Sequence, residues 1–81
     1  MAKNHGIKEL DRVVLTEPLP KLGLLAGDVG TVVLEHRGGK GYEVEFVALD
    51  GETVAVATVS ARQVRPILPR EMAHARAHVS A

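Results

Sequence analysis

The sequence predicts an all-β fold, a small five-stranded barrel followed by a short helical tail. The stretch "YEVEFVAL" alternates apolar and acidic residues, which is typical of a strand with one buried face. Asp50-Gly51 is a strong signal for a tight hairpin that joins this strand to "ETVAVATV". Gly30 interrupts the strand "DVGTVVLE", and a glycine inside a strand marks a bulge or a sharp bend. Short strands, one of them bent, are what a small closed barrel requires.

The elements follow in chain order. The β-favouring run "RVVL" predicts a first strand at 12–15, and the prolines and glycines of "EPLPKLGLLAGD" predict an ordered loop at 17–28. The remaining predicted elements are the bent strand at 28–35, a turn at 36–41, strands at 42–49 and 52–59, a helical turn at 60–63 and a closing strand at 64–67. After Pro69, the helix formers of "REMAHARAHV" predict a tail helix. The domain organisation is then a flexible N-terminus at 1–9, the barrel at 10–68 and a helical or disordered tail at 69–81.

The turns and the core of this barrel can be assigned from the same patterns. Gly51 is expected at a turn position with positive φ and Gly30 at a bulge or close crossing, while Gly39 and Asp50 complete the structural turns. Alternation in the strands that flank the hairpins predicts which side chains are buried. The predicted core consists of Val13, Leu15, Leu24, Val29, Val32, Tyr42, Val44, Phe46, Val56 and Val64.

Charge and cysteine content exclude several functions. The chain carries ten basic and ten acidic side chains among its 81 residues, so no overall charge draws it to nucleic acid or anionic lipid. It has no cysteine, which excludes disulfides, thiolate zinc sites and cysteine nucleophiles. The first ten residues lack the apolar core of a signal peptide, and no apolar run reaches membrane-spanning length. We therefore expect a soluble cytoplasmic protein.

Three stretches carry a resemblance to a known family. The segments "LPKLGLLAGDVGTVV", "GYEVEFVALDG" and "TVSARQVRPI" together are similar to a family of small, stand-alone bacterial SH3-like proteins of unknown function, over residues 10–68. More distantly, the "GDVGTVV" strand resembles the glycine-valine strand of KOW domains and of the barrel domain in nitrile hydratase β subunits. The resemblance implies an SH3-like barrel and no established activity.

Residue types that serve catalysis or metal binding are present but poorly placed. A nucleophile and its base need rigid elements, whereas the histidines lie in predicted ends and one turn, at His5, His36, His74 and His78. Glu43 and Glu45 point the same way from one strand, yet a solvated outer face is the usual place for such residues. Glu71, His74 and His78 would share one face of the tail helix, which rarely completes a metal coordination shell. We expect no enzyme, no catalytic residue, no cofactor and no metal site.

The strand "ETVAVATV" indicates an interaction role, because both of its faces are mostly apolar. A barrel strand normally shows one face to solvent, so the row Ala55, Ala57 and Val59 should be covered by the tail, another subunit or a partner. These residues and Met72 form the candidate interface. The predicted function is a non-enzymatic protein-interaction module, an accessory or neutralising partner of a larger protein of unknown identity. A homodimer is also expected, since so short a chain has little core.

The competing prediction is a KOW-like RNA-binding or ribosome-binding module. Its candidate basic patch consists of Arg37, Lys40, Arg62 and Arg65. The neutral net charge and the presence of only one tyrosine and one phenylalanine weaken it, because single-strand binders stack bases on aromatic side chains. Nucleic acid is therefore the less favoured partner, and no membrane partner is expected.

Overall fold

Five antiparallel strands form one open sheet within residues 6–79, the part of the chain that the computed structural model describes. The strands are β1 (Arg12–Leu15), β2 (Val29–His36), β3 (Gly41–Val47), β4 (Thr53–Ser60) and β5 (Val64–Pro66). Their order across the sheet is β4-β3-β2-β1-β5, so the last two strands of the chain lie at opposite edges. Short 3-10 helices at Pro20–Leu22 and Ala61–Gln63 lie in the β1–β2 and β4–β5 connections. The all-β prediction is confirmed.

One face of the sheet forms the hydrophobic core. Tyr42, Val44 and Phe46 of β3 are buried, as their alternation with glutamates predicts. The other buried members of the cluster are Ile7, Val13, Leu15, Leu24, Val32, Ala57, Val59 and Val64. Ile7 brings residues before position 10 into the core, whereas residues 1–5 of the predicted flexible N-terminus lie outside the described part of the chain.

Gly30 leaves room for core side chains of β3 to lie against the backbone of β2. It pairs with Val13, and a Cβ added to it would lie 2.5 Å from Val44 Cγ1 and 2.8 Å from Phe46 Cε2. No side chain larger than hydrogen fits there unless these core residues move. The close approach expected at this glycine is made by side chains, but the irregularity in the strand comes later, where the β2–β3 register shifts after Val32.

The two hairpins have the expected turn chemistry. Gly51 has a φ of +96° and Gly39 a φ of +101°, values that L side chains rarely adopt. In the β3–β4 turn the Asp50 carboxylate accepts a hydrogen bond from the Glu52 amide at 3.0 Å. Asparagine and aspartate commonly close turns through such bonds to the backbone two residues further on. The Asp-Gly sequence therefore fixes this hairpin through both residues.

Two parts of the predicted architecture are not found among the described residues. No β4–β5 pairing exists there, so the sheet is open rather than a closed barrel. Because β5 has three residues and ends at Pro66, which has no amide hydrogen, it offers few groups for β4 to pair with. Residues 69–79 form no helix, since the tail's polar side chains bond to the body of the domain instead. A helix this short is marginal on its own, so those contacts decide the conformation.

One error in the predicted core comes from the phase of β2. Val29 is 39% exposed, although it was expected to be buried together with Val32. A bulge at Gly30 would have turned both valines inward, but Gly30 itself takes the inward position and the register shift comes later. Val29 therefore faces outward and pairs with Val14 on the second face of the sheet.

The contact at Gly30 can be tested by adding one methyl group. We expect Gly30→Ala to lower the free energy of unfolding by about 1–3 kcal/mol, because overpacking a dense core forces side chains or backbone to shift. Gly6→Ala is the matched control, since a Cβ at Gly6 meets no atom within 4 Å. Urea denaturation followed by the fluorescence of the single tyrosine, Tyr42, measures both variants. Equal unfolding midpoints for the two would contradict the assigned contact.

Candidate functional site

The candidate interface row of β4 belongs to the core. Ala57 is 4% and Val59 is 2% exposed, and Ala55 packs partly against the same cluster. Val56 lies on the outer face, where it pairs with Glu45 and is 55% exposed. The predicted burial of Val56 is therefore wrong, and the row Ala55, Ala57 and Val59 packs in the core of its own sheet rather than under the tail, another subunit or a partner. A shift of one residue in phase exchanges the two faces of a strand.

The tail begins at an ion pair with β5. The Arg65 guanidinium donates two hydrogen bonds to Glu71, at 2.9 Å to Oε1 and 2.7 Å to Oε2. The same carboxylate accepts the Leu68 amide at 2.7 Å. The bonds from Arg65, followed by the one from Leu68, lower the pKa of Glu71 from its ordinary 4.5 to about 2. Glu71 is therefore a stably ionised anchor.

A second anchor holds the far end of the tail against the β1–β2 loop. Arg76 donates hydrogen bonds to both carboxylate oxygens of Asp28, and the Leu25 amide donates to the same group. Partial burial raises the pKa of Asp28, but these hydrogen bonds outweigh it and the net pKa lies below the ordinary 3.8. Two residues further on, His78 Nε2 lies 2.8 Å from the carbonyl oxygen of Leu22. No local sequence pattern links residues so far apart, so sequence reasoning missed this anchor.

Between the two anchors the tail arches over the outer face of the sheet and leaves space beneath it. A cavity of about 480 Å³ is lined by Val14, Val29, Val47 and Ile67 below and by Met72 and its neighbours above. A second cavity of about 390 Å³ continues under the tail toward the β1–β2 loop. Val14 is buried here on the face opposite the core. The three consecutive apolar residues of β1 were the sequence signal that both faces of this strand are covered.

His36, Glu43 and Thr58 meet on the outer face of β2, β3 and β4. His36 Nε2 lies 2.8 Å from Glu43 Oε2, and the Thr58 hydroxyl donates to the same carboxylate at 2.8 and 2.9 Å. The bond with His36, then that from Thr58, lowers the pKa of Glu43. In a catalytic triad the hydroxyl bonds to the imidazole, whereas here both groups bond to the carboxylate. The arrangement orients Glu43 and leaves Thr58 without a strong base.

The candidate basic patch is divided between two places. Arg37 and Lys40 are exposed in the β2–β3 turn, and the Ala61 amide donates to the Lys40 carbonyl at 3.1 Å, which brings this turn beside the 3-10 helix of Arg62. Within residues 6–79 no ion pair involves these three cations. Arg65 lies in β5 and is neutralised at the first tail anchor. Arg37, Lys40 and Arg62 therefore lie in neighbouring segments at one end of the sheet, and Arg65 does not.

The histidines and acids of the tail do not converge. Glu71 is bound to β5, His78 to the β1–β2 loop, and His74 lines the cavities between them. No group of three histidine, aspartate or glutamate side chains among the described residues is placed to hold a metal ion. In the same part of the chain no helix has the length and hydropathy needed to cross a membrane.

The open sheet and its anchored tail define a small all-β domain. Residues 9–66 match the model of a family described as a domain of unknown function, DUF4926. The match spans more than half of the chain, so the protein belongs to this family. No curated protein and no solved structure gave a significant match. The matched range ends at β5, so the tail that covers the outer face lies beyond it.

The tail anchors predict how the protein responds to acid. Both carboxylates have a lowered pKa in the folded protein, so their contribution is fully present above their unfolded pKa values and is lost as the pH falls through the folded values, about 2 for Glu71. We expect the methyl NMR signal of Met72, next to Glu71, to keep its folded position from neutral pH down to about 4.5 and then to move toward that of a free chain.

The control for this titration is Glu71→Gln, which cannot ionise. It should show partly released tail signals already at neutral pH, while the signals of Val44 in the core stay unchanged. Tail signals that are identical in the two proteins at neutral pH would contradict the first anchor.

Proposed function

We propose that this domain is a non-enzymatic protein-interaction module that serves as an accessory or neutralising partner of a larger protein. The observation that carries the proposal is the apolar opening between the outer face of the sheet and the tail. Binding sites are commonly concave, mostly apolar and of several hundred cubic ångströms. The larger cavity under the tail has this size and character.

Exposed apolar side chains gather around this opening. Leu49 is 91% and Met72 is 92% exposed, and both line the larger cavity together with the partly exposed Val29, Val47 and Ile67. Single exposed apolar residues are ordinary, but a group of them around a concavity is typical of an interaction site. An apolar segment of a partner would bury this group and complete the packing on Val14.

The side chains that could act in catalysis support a binding role instead. Glu43 is held between Thr58 and His36 with its pKa lowered, so it is a weak base. A general base works best with a pKa near the operating pH, and a lowered carboxylate pKa moves away from it. The constellation instead fixes one negative charge on the outer face, which suits orientation of a partner.

An SH3-like relationship is part of the proposal. The chain has five short strands, a second strand with side-chain contacts against Gly30 and a register shift after Val32, and one 3-10 turn, Ala61–Gln63, before the short last strand. The Ser60 amide donates to the Gln63 side chain at 2.8 Å, which stabilises that turn. These are the connections that the sequence resemblance implies. We propose that the open sheet is a member of that architecture with unpaired ends.

RNA binding is the second candidate function. The observation that favours it is the meeting of Arg37, Lys40 and Arg62 at one end of the sheet, where no described carboxylate pairs with them. Such a patch would bind phosphates, and its affinity would fall steeply with salt. Tyr42 and Phe46 are buried in the core, so neither supplies a platform for base stacking.

A pair of leucine substitutions tests the protein-binding proposal. We expect Leu49→Ser to reduce recovery of the partner by about tenfold in affinity purification from the source cell, because it removes an apolar contact at the opening. Leu10→Ser is the matched control, since Leu10 is also highly exposed but does not line either cavity. Quantitative mass spectrometry of the two eluates provides the measurement.

The same purification separates the two functions. Equal recovery of all proteins by Leu49→Ser and Leu10→Ser would reject the opening as the binding site. Recovery of RNA that is lost in the Arg37→Glu variant and at raised salt would support the alternative instead.

A further inference from the structure

The two edges of the sheet are built differently. β5 has only three residues, ends at Pro66 and carries Arg65, whose side chain is bound to the tail. Short length, proline and charge are the means by which proteins prevent edge strands from pairing with other chains. The edge at β5 therefore follows the usual protective pattern.

The edge at β4 has none of these three protections, although its register with β3 shifts near Thr53. β4 runs for eight residues, Thr53–Ser60, without a proline or a charged side chain. Within the described residues it pairs along one side with β3 and has no strand on the other. A long, uncharged edge strand exposes a row of backbone donors and acceptors that another strand can use. Its outward side chains are small or β-branched, as Val56 and Thr58 show, so they do not obstruct an approaching strand.

We propose that two copies of this chain pair through their β4 edges in antiparallel orientation, around a two-fold axis at Val56. This inference is independent of the opening under the tail. In this register Val56 faces Val56 of the second copy and Ala55 faces Ala57, while Val54, where the β3–β4 register shifts, packs toward the core and lies beyond the regular pairing. A two-fold interface places one surface against itself, so it requires a strand that tolerates its own side chains. The sequence "TVAVATVS" meets this requirement because no charge faces a like charge.

The acidic residues nearest to the edge do not oppose this pairing. Glu43 and Glu45 lie on β3, one strand behind β4, so three strand spacings separate them from their counterparts in the second copy. With about 4.8 Å between strands this distance is roughly 14 Å, well beyond the Debye length of about 8 Å at physiological ionic strength. Their carboxylates are also bonded to hydroxyls of their own chain, Thr58 and Thr53.

A second copy fits this edge better than a charged foreign strand does. Recognition of a foreign strand normally uses charges or pockets that select it, whereas β4 itself offers neither among its described residues. Pairing with a second copy also covers Val56, the large apolar side chain that is half exposed at the centre of the strand. The resulting assembly would be a continuous sheet of ten strands.

The chain has no cysteine, which makes single-cysteine cross-linking a direct test. Under mild oxidation at about ten micromolar protein, Val56→Cys should form a covalent dimer on the order of a hundredfold faster than Val33→Cys, because pairing raises the effective thiol concentration to about millimolar. Val33 is the matched control, since it is a similarly exposed valine on the interior strand β2. Directly opposed residues in an antiparallel pair lie within the Cα separation that a disulfide spans.

Light scattering coupled to size exclusion provides a second readout without oxidation. The unmodified chain should have a dimeric mass at high micromolar concentration, Val33→Lys should keep it, and Val56→Lys should reduce it to the monomer. Val56 pairs with Glu45, so a lysine there gains a partner within its own chain and the fold is retained. A monomeric mass for the unmodified chain, a dimer that survives Val56→Lys, or equal cross-linking of the two cysteine variants would each overturn the proposal.

Discussion

The absence of a side chain at Gly30 is the constraint on which the rest of the structure depends. Val44 and Phe46 of β3 occupy the volume that a Cβ would take, so their side chains lie directly against the Gly30 backbone of β2. This contact brings Val13 of β1 into the same core, because Val13 pairs with Gly30. A domain of this size has few core residues, and each of them contributes a large share of the total stability.

The close packing of one face leaves the other face to the tail. The outer side of β1 and β2 carries Val14 and Val29, which a short domain cannot cover with a second sheet or a long helix. The tail covers it with an irregular segment held at two ends, by Arg65 with Glu71 and by Arg76 with Asp28. Exposed ion pairs contribute little energy, so these anchors fix position more than they add stability. The space that remains under the tail follows from using a segment held at its ends rather than a packed element.

Features that depend on neighbouring residues could be predicted from the sequence, and features that depend on distant ones could not. The Asp50-Gly51 hairpin and the inward row of β3 follow from local turn chemistry and from alternation with glutamates. The inward face of β4 cannot be predicted in this way, because the side chains on both of its faces are apolar. Which face points inward depends on the register shift after Phe46 in the pairing with β3. Nothing in the sequence indicates that Arg76 contacts Asp28. The helix-forming residues of the tail were then the only local signal, and they predict a helix. Of the candidate sites, three of the predicted cations lie at one end of the sheet and their role stays a prediction, while the cavity lining was missed except for Met72 and Arg65.

The order of the strands also bears on the route by which the chain folds. β2, β3 and β4 are joined by short hairpins, so their pairing closes small loops and costs little chain entropy. β1 and β5 come from opposite ends of the sheet-forming segment, and their pairing of Val14 with Arg65 closes a loop that contains β2, β3 and β4. Local contacts form first when loop closure dominates the barrier, so the hairpins would serve as the nucleus and β5 would join after the transition state. Changes in β5 would then act on the rate of unfolding, which sets the lifetime of the native protein.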